Sequence, residues 1–552
     1  MTTPAHGLHD NFQFLILEVI RHIRQTSTFL LAPEAELYEY IVSRDDYIDN
    51  LKNSIENACY THIASATQNS LSTQAINTYR SMQTIAVNLE RIADYCVNIV
   101  HQVQYLSDTD FLQIFDYQSM IREILMGMDE ILQALKKKSL PQALRICRTE
   151  NTLDQMCKAR FERIMQDLQQ GPAQPGDYMT IVFIVRYLER IGDSLLNIGE
   201  AILFAIIGEK IKIHQFQALQ ENLNKSGLVT ELSEMDLTYI WGSRSGCRIG
   251  RVENKGQSTS RQESIFKEGA CKKISREKRC LERWQQIFPG LVPKIFSFYE
   301  DREQDTASLL LELLPGCTVD ETALTTDMET VQNTFFILRE VLEEVWTQSL
   351  VGSKVQSRFM PQLRKRLDAI LHVHPQFKRR AQSIGRTSIL STDDVLQACT
   401  ELESDLAAPF SVLIHGDFNA NNVVYSHAEQ KIHFIDLHRS TQGDYVQDVS
   451  VFLVSNFRIP VSDPSLRSRL NWMTRSMFEF AQQFAWSHKD ATFYPRLALA
   501  LARSFYTSTR FELKPEFAKS MFLRAHFLLD RLVGHQGCSW ESFVLPGDVL
   551  YP

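Results

Sequence analysis

The segment Val412-Leu413-Ile414-His415-Gly416-Asp417-Phe418-Asn419-Ala420-Asn421-Asn422-Val423-Val424, followed by Ile432-His433-Phe434-Ile435-Asp436, carries the strongest chemical signal in the chain. An apolar strand runs into His-Gly-Asp, four residues separate Asp417 from Asn422, and a second apolar strand delivers Asp436. Phosphoryl transfer needs residues of these types: a carboxylate at the acceptor hydroxyl, Asp417, and oxygen ligands for Mg²⁺ bridging the phosphates of ATP, Asn422 and Asp436. The 14-residue step between the two ligands (436 − 422) predicts a β-hairpin that presents both at one edge.

This pattern resembles the aminoglycoside phosphotransferase and choline kinase family, in which H-G-D-x-x-x-x-N replaces the protein-kinase H-R-D and an I-D stands in place of D-F-G. Gly443-Asp444-Tyr445-Val446-Gln447-Asp448 resembles the family's G-D-P-x-x-D segment, with Tyr445 in place of proline. The resemblance implies that Asp448 braces the catalytic loop and that His415 orients it by hydrogen bonds rather than by acid–base chemistry. It also implies an α+β bilobal fold and upstream nucleotide-binding parts. Glu263-Ser264-Ile265-Phe266-Lys267 is the candidate strand carrying the phosphate-contacting lysine, and Lys272 to Phe288 the helix after it. Glu277 is the expected partner of Lys267, with Glu282 the rival. Leu309 to Gly316 resembles the hinge, where the backbone of residues such as Glu312 and Leu314 would read adenine. Gly242 to Gly250 could cover phosphates, but its spacing does not match G-x-G-x-x-G, and a hairpin turn accounts for it equally well.

The acceptor would be held by helices from about Asp320 to Ala408 and from about Asp463 to Val533. Acids there, Glu343, Glu344, Asp393, Asp394, Glu401 and Glu403, would suit an amine-bearing acceptor or merely line solvated helix faces. His101, His433 and His438 show no metal-ligand spacing and read as ordinary helix, strand or surface residues. The stretch after Asp436 lacks an A-P-E pattern, which speaks against a protein kinase.

The first 200 residues have a different character. Apolar residues recur at helical steps, as in Ile85, Leu89, Ile92, Cys96 and Ile99. Breakers such as Pro141 and Gly171 to Gly176 fall where helices should join. Within this region Asn88-Leu89-Glu90-Arg91-Ile92-Ala93-Asp94 with Asn98-Ile99 recurs as Tyr187-Leu188-Glu189-Arg190-Ile191-Gly192-Asp193 with Asn197-Ile198, offset by 99 residues (189 − 90). Acids at a four-residue step precede each copy, Asp45 with Asp49 and Glu150 with Asp154. Two similar three-helix units follow from the repetition. Glu90, Asp94 and Asn98 share one helix face, as do Glu189, Asp193 and Asn197, and two such stripes on facing helices could hold a metal. Pairing with Arg91, Arg190 or a lysine one turn away is the alternative.

The duplicated motif resembles the PhoU family. The likeness implies an all-α six-helix bundle of two three-helix repeats, iron or zinc clusters at Glu90, Asp94, Glu189 and Asp193, a role in phosphate homeostasis through signalling or transporter proteins, and homo-oligomers formed through the bundle. His101 stands near where the family's usual acid would be.

Together these readings give a multidomain chain: a PhoU-like bundle over 10–215, a kinase-like N-lobe over 232–318 and a C-lobe over 319–545. The function expected is ATP/Mg-dependent phosphorylation of a small-molecule hydroxyl, or, alternatively, nucleotide sensing without turnover. At 552 residues the chain exceeds a single core. A net charge of −8 disfavours nucleic-acid binding by a basic face, and ten scattered cysteines without a C-x-x-C pair fit a reducing cytoplasm. No stretch is long and apolar enough to predict a membrane span.

Overall fold

The computed structural model describes residues 4–69, 72–171, 174–209, 211–227, 235–239, 247–254, 263–385 and 387–552. Most of the proposed phosphate loop, Gly242-Ser243-Arg244-Ser245-Gly246, lies outside the described residues. The chain divides into two compact units between Phe266 and Lys267.

The first unit is dominated by helices: α1 (Pro4–Leu31), α2 (Ala35–Asn69), α3 (Thr73–Val103), α4 (Tyr117–Lys137), α5 (Leu140–Gln169), α6 (Pro175–Ile207) and α7 (Ile213–Ser226). Helix starts follow capping chemistry. Ser72 accepts from the Ala75 N–H ahead of α3, and Asp116 from the Ser119 N–H ahead of α4. Pro141 and Pro175 occupy first-turn positions of α5 and α6, where a missing N–H costs nothing. Gly208, at φ 91°, closes α6 with its N–H on the Phe204 carbonyl. The expected apolar stripe of α3 is buried throughout: Ile85, Leu89, Ile92, Cys96 and Ile99. α1–α3 and α4–α6 are the two repeats, and α3 packs on α6, so the helices bearing the two motif copies form the centre of the bundle. The strands β1 (Met235–Tyr239) and β2 (Arg248–Asn254) pair antiparallel, Met235 opposite Asn254.

β3 (Ser264–Ala270) runs across the division into the second unit. There follow α8 (Cys271–Ile287), β4 (Ile295–Asp301), β5 (Thr306–Glu312), β6 (Cys317–Thr318), α9 (Val319–Thr325), α10 (Met328–Gln348), α11 (Phe359–Val373), β7 (Gln382–Ile384), β8 (Thr387–Ile389) and α12 (Thr392–Asp405). The His-Gly-Asp segment then supplies β9 (Val412–Ile414), β10 (Val423–Ser426), β11 (Lys431–Phe434) and β12 (Thr441–Gly443), followed by α13 (Val446–Arg458), α14 (Pro464–Ser487), α15 (Phe493–Ser508) and α16 (Pro515–Gly534). β10 and β11 form the hairpin expected between Asn422 and Asp436, with Val423 opposite Phe434. β6 extends it through Val424 opposite Thr318, and β12 pairs with β9. Phe418, Phe434 and Phe452 pack edge-on or tilted beneath the loop between these strands and fix its floor.

Candidate active site

β3 and α8 build the first half of the site. Lys267 is buried in the middle of β3, and its ammonium donates to Glu277 Oε1 at 2.6 Å and to Asp436 Oδ1 at 2.8 Å. Glu277 lies on the inner face of α8, one turn before the buried Leu281; the rival, Glu282, instead pairs with Lys278. Burial alone would lower the pKa of the lysine, but the two carboxylates hold it above the ordinary value. Burial likewise opposes ionisation of Asp436, yet His438 and Lys267 hold its carboxyl well below the usual range. Asp436 itself adopts φ 61°, a left-handed conformation costing a non-glycine residue roughly 1–3 kcal/mol.

The His-Gly-Asp loop is held from beneath. Asp448, buried in the first turn of α13, accepts the His415 N–H at 2.6 Å and the Gly416 N–H at 2.8 Å, one on each oxygen. Burial pushes its carboxyl up to about 7 against those two donors. Gly416 sits at φ 84°, and a Cβ there would come within 2.4 Å of the Arg439 carbonyl oxygen. Only glycine fits. His415 donates from Nε2 to the Ile435 carbonyl at 2.9 Å and accepts the Asp417 N–H on Nδ1, so it ties the loop to the strand delivering Asp436. Its burial lowers its pKa and keeps it neutral.

Asp417 is thereby held at the rim, about one-fifth exposed, with Oδ1 accepting from Asn419 at 3.1 Å and paired to Arg439 Nη1 at 2.9 Å. Asn422 donates its amide to the Asp417 carbonyl at 2.8 Å, leaving its side-chain oxygen as the donor for a cation. That oxygen and the Asp436 carboxylate have the hard-oxygen chemistry Mg²⁺ requires. Glu312 ends β5, donating its N–H to the Lys294 carbonyl at 2.9 Å; Leu314 lies between β5 and β6.

Two residues escaped the motif reading. His438, taken as an ordinary residue, binds Asp436 Oδ1 through Nδ1 at 3.0 Å, and Glu277, Asp436 and His438 bring one ligand atom each within 4.8 Å of one another. Arg439, which pairs with Asp417, was not anticipated either. Three of the acids named for an amine-bearing acceptor have local partners. Glu403 is buried beneath α11, accepting the Phe359 and Met360 N–H groups; Asp393 pairs with Lys378, and Asp394 accepts from Ser391. His433 donates from Nδ1 to the Gly290 carbonyl at 2.9 Å, a strand-packing role as expected.

The PhoU domain family matches residues 15–103 and 117–202, one stretch per helical repeat, and the ecdysteroid kinase-like family matches residues 323–484, which include Asp417, Asn422, Asp436 and Asp448. The chain joins a PhoU domain to a kinase-like domain. Phosphate-specific transport system accessory protein PhoU homologs resemble the first part. That of Clostridium acetobutylicum is 23% identical over 182 residues, covering 33% of this chain and 82% of the relative. That of Borreliella burgdorferi is 26% identical over 202 residues, covering 35% and 89%. Among solved structures, aminoglycoside phosphotransferase APH(4)-Ia aligns over 58% of this chain and 100% of its own, with 12% identity and a TM-score of 0.38.

In the PhoU domain the acids cluster within each repeat, not between the two motif copies as the facing stripes suggested. Glu90 and Asp94 of α3 repel Asp45 and Asp49 of α2; Glu189 and Asp193 of α6 repel Glu150 and Asp154 of α5. Burial first, then this repulsion, raises Asp45, Glu90, Asp94 and Glu150; burial also raises Glu189. Lys52 stands between Asp49 (3.1 Å) and Glu90 (3.4 Å), Arg186 pairs with Glu189 at 2.5 Å, and Arg190 pairs with Asp193 at 2.8 Å. The α3–α6 contact is made by other motif residues, Asn197 donating to Asn88 Oδ1 at 3.2 Å and Tyr95 stacking on Tyr187.

Proposed function

We propose that the kinase-like domain transfers the γ-phosphoryl group of ATP to a hydroxyl of a small molecule and that the PhoU domain couples this activity to phosphate signalling. The observation that carries the reading is the buried Lys267–Glu277 pair meeting Asp436, beside an Asp417 held at the rim by Asp448. Lys267, freed from Asp436 when nucleotide enters, would neutralise the α- and β-phosphates, while Glu277 keeps the ammonium in place. Asn422 and Asp436 would hold Mg²⁺, which supplies charge neutralisation on the phosphates when bound. Asp417 would orient the acceptor hydroxyl and take its proton on a carboxylate oxygen as the new O–P bond forms. The hinge residues Glu312 and Leu314 would read adenine.

A second reading, a nucleotide sensor without turnover, draws support from the Arg439–Asp417 pair, which ties up the carboxylate that would receive the proton. Labelled ATP offered with Mg²⁺ over a panel of sugars, amino alcohols, aminoglycosides and sugar phosphates separates the two. Transfer of label supports the kinase; ATP binding without transfer supports the sensor, and absence of both rejects nucleotide chemistry. Within this reading the domains span 10–215, 232–318 and 319–545, the protein is cytoplasmic, and its partners are phosphate-signalling or transporter proteins and further copies of itself. Among the described residues no helix is long and apolar enough to cross a membrane.

A further inference from the structure

The surroundings of Asp417 are basic, and the excess comes from segments distant in sequence. Arg439 touches the carboxylate at 2.9 Å. Arg366 of α11, Arg503 of α15 and Arg510 of the 3-10 turn Thr509–Phe511 each lie within electrostatic reach of both Asp417 and Arg439, and Arg510 also feels Arg458 at the end of α13. Four guanidinium groups thus gather about Asp417, from three elements and one loop, and Arg458 lies beyond Arg510. Arg503 is buried, and Arg366, Arg458 and Arg510 are half-buried.

Arg503 has acids of its own nearby, Asp448 and Glu403. For Arg366 and Arg510, Asp417 is the acid in reach, and Arg439 already pairs with it. Burial and mutual repulsion press on these cations: the pKa values of Arg503 and Arg510 fall to about 10, still far above neutrality. Guanidinium groups do not relieve such crowding by losing protons at physiological pH. A surplus of fixed, partly desolvated positive charge is costly unless an anion meets it. The planar forks of arginine fit carboxylate and phosphate oxygens two at a time.

We propose that the acceptor is an anionic hydroxyl compound, one bearing a phosphate or carboxylate group that Arg366 and Arg510 hold while Asp417 addresses its hydroxyl. This rests on the kinase reading above and reverses the expectation of an amine-bearing acceptor. Arg439 would leave Asp417 for the incoming anion, releasing the carboxylate to receive the hydroxyl proton. The same exchange accounts for a base that is masked when no acceptor is bound.

The test uses the full chain with AMP-PNP and Mg²⁺ at saturation, titrated calorimetrically with glycerol, glycerate, glycerol 3-phosphate, inorganic phosphate and an aminoglycoside. Glycerate or glycerol 3-phosphate should bind at least about tenfold more tightly than glycerol and the aminoglycoside, an effect expected of charge-assisted hydrogen bonds. Arg366→Gln and Arg510→Gln should each remove about tenfold of that preference, Arg366→Lys should restore part of it, and AMP-PNP affinity should stay unchanged in all three. Preference for glycerol 3-phosphate over glycerate names phosphate as the recognised group, and equal binding of inorganic phosphate shows that the hydroxyl-bearing remainder adds nothing and overturns an acceptor role. Equal or tighter binding of glycerol or the aminoglycoside overturns the proposal and leaves the kinase reading standing. A loss of AMP-PNP affinity in the arginine variants, without loss of anion preference, assigns the arginines to the nucleotide and overturns it as well. Failure of the wild type to bind AMP-PNP at all removes both readings together.

Discussion

Asp417 and Asp436 are both acids beside cations, yet their substitution should have different consequences. Asp417 accepts from Asn419 and Arg439 at the rim, whereas Asp436 is locked to Lys267 and His438 below it. Asp417→Asn keeps shape and removes the proton acceptor, so transfer should fall about 10²–10⁴-fold while AMP-PNP binding holds. Asp436→Ala should weaken Mg²⁺-dependent nucleotide binding itself. Label transfer and nucleotide titration read the two separately, and unchanged turnover in either variant rejects the assignment. Asp448→Asn makes a different point. An amide has one oxygen where the carboxylate has two, so its NH₂ would confront the His415 or Gly416 N–H. The variant should lose about 1–3 kcal/mol of stability and much of its turnover, measured by denaturant unfolding and label transfer. A variant as stable and active as the wild type would show that the brace is dispensable. The acids and Lys267 were legible because their motif fixes short spacings, ten residues from Lys267 to Glu277 and five from Asp417 to Asn422. His438 and Arg439 were not, since nothing in a short loop says that Asp436 will take a positive φ and bring both back over the site.

Among the elements, the long helices were legible from a 3.6-residue period that burial then used directly, as along α3. The two- and three-residue strands β6, β9 and β12 carry no periodic signal of their own, and their pairing, such as Thr318 opposite Val424, depends on chain more than 100 residues away. The converging arginines were hidden for the same reason, because Arg366, Arg458, Arg503 and Arg510 meet through helix packing. The acid clusters of the PhoU domain lie between these cases: their spacing was visible, while their partners across α2–α3 and α5–α6 were not. Their raised pKa values have a definite sign. A carboxyl that binds its proton more tightly folded than unfolded makes the fold lose stability as pH rises from the ordinary carboxylate range toward neutrality. Asp45→Asn should therefore raise the melting temperature at pH 7 by more than it does at pH 5; an equal change at both would show that Asp45 carries no such burden. If iron or zinc is the natural relief for these acids, as the resemblance of the repeated motif implies, either metal should raise the melting temperature of the wild type and do so less in Glu189→Ala and Asp193→Ala. A wild type that melts at one temperature with metal and with chelator would leave the clusters to Lys52, Arg186 and Arg190 alone.

At the scale of the whole chain, two units of comparable size each contain an apolar core, one centred on α3 and α6 and the other on α13 and α15. The pairing of a PhoU domain with a kinase-like domain was legible because each carries its own short signature, a duplicated acidic string and a His-Gly-Asp loop. How one unit answers the other has no signature of that kind. It can be measured, because coupling between sites is reciprocal: a PhoU domain that alters nucleotide affinity must itself be altered when nucleotide binds. Two cores should give two calorimetric transitions, and AMP-PNP with Mg²⁺ at about 100 times its Kd should stabilise the kinase-like unit by about 2.7 kcal/mol. Regulation requires more than that. The transition of the PhoU domain, identified as the one that shifts in Asp45→Asn, should also move when AMP-PNP is added. Should it stay fixed while the kinase-like transition rises, the two units share a chain but exchange no free energy, and the kinase would run without control from the bundle.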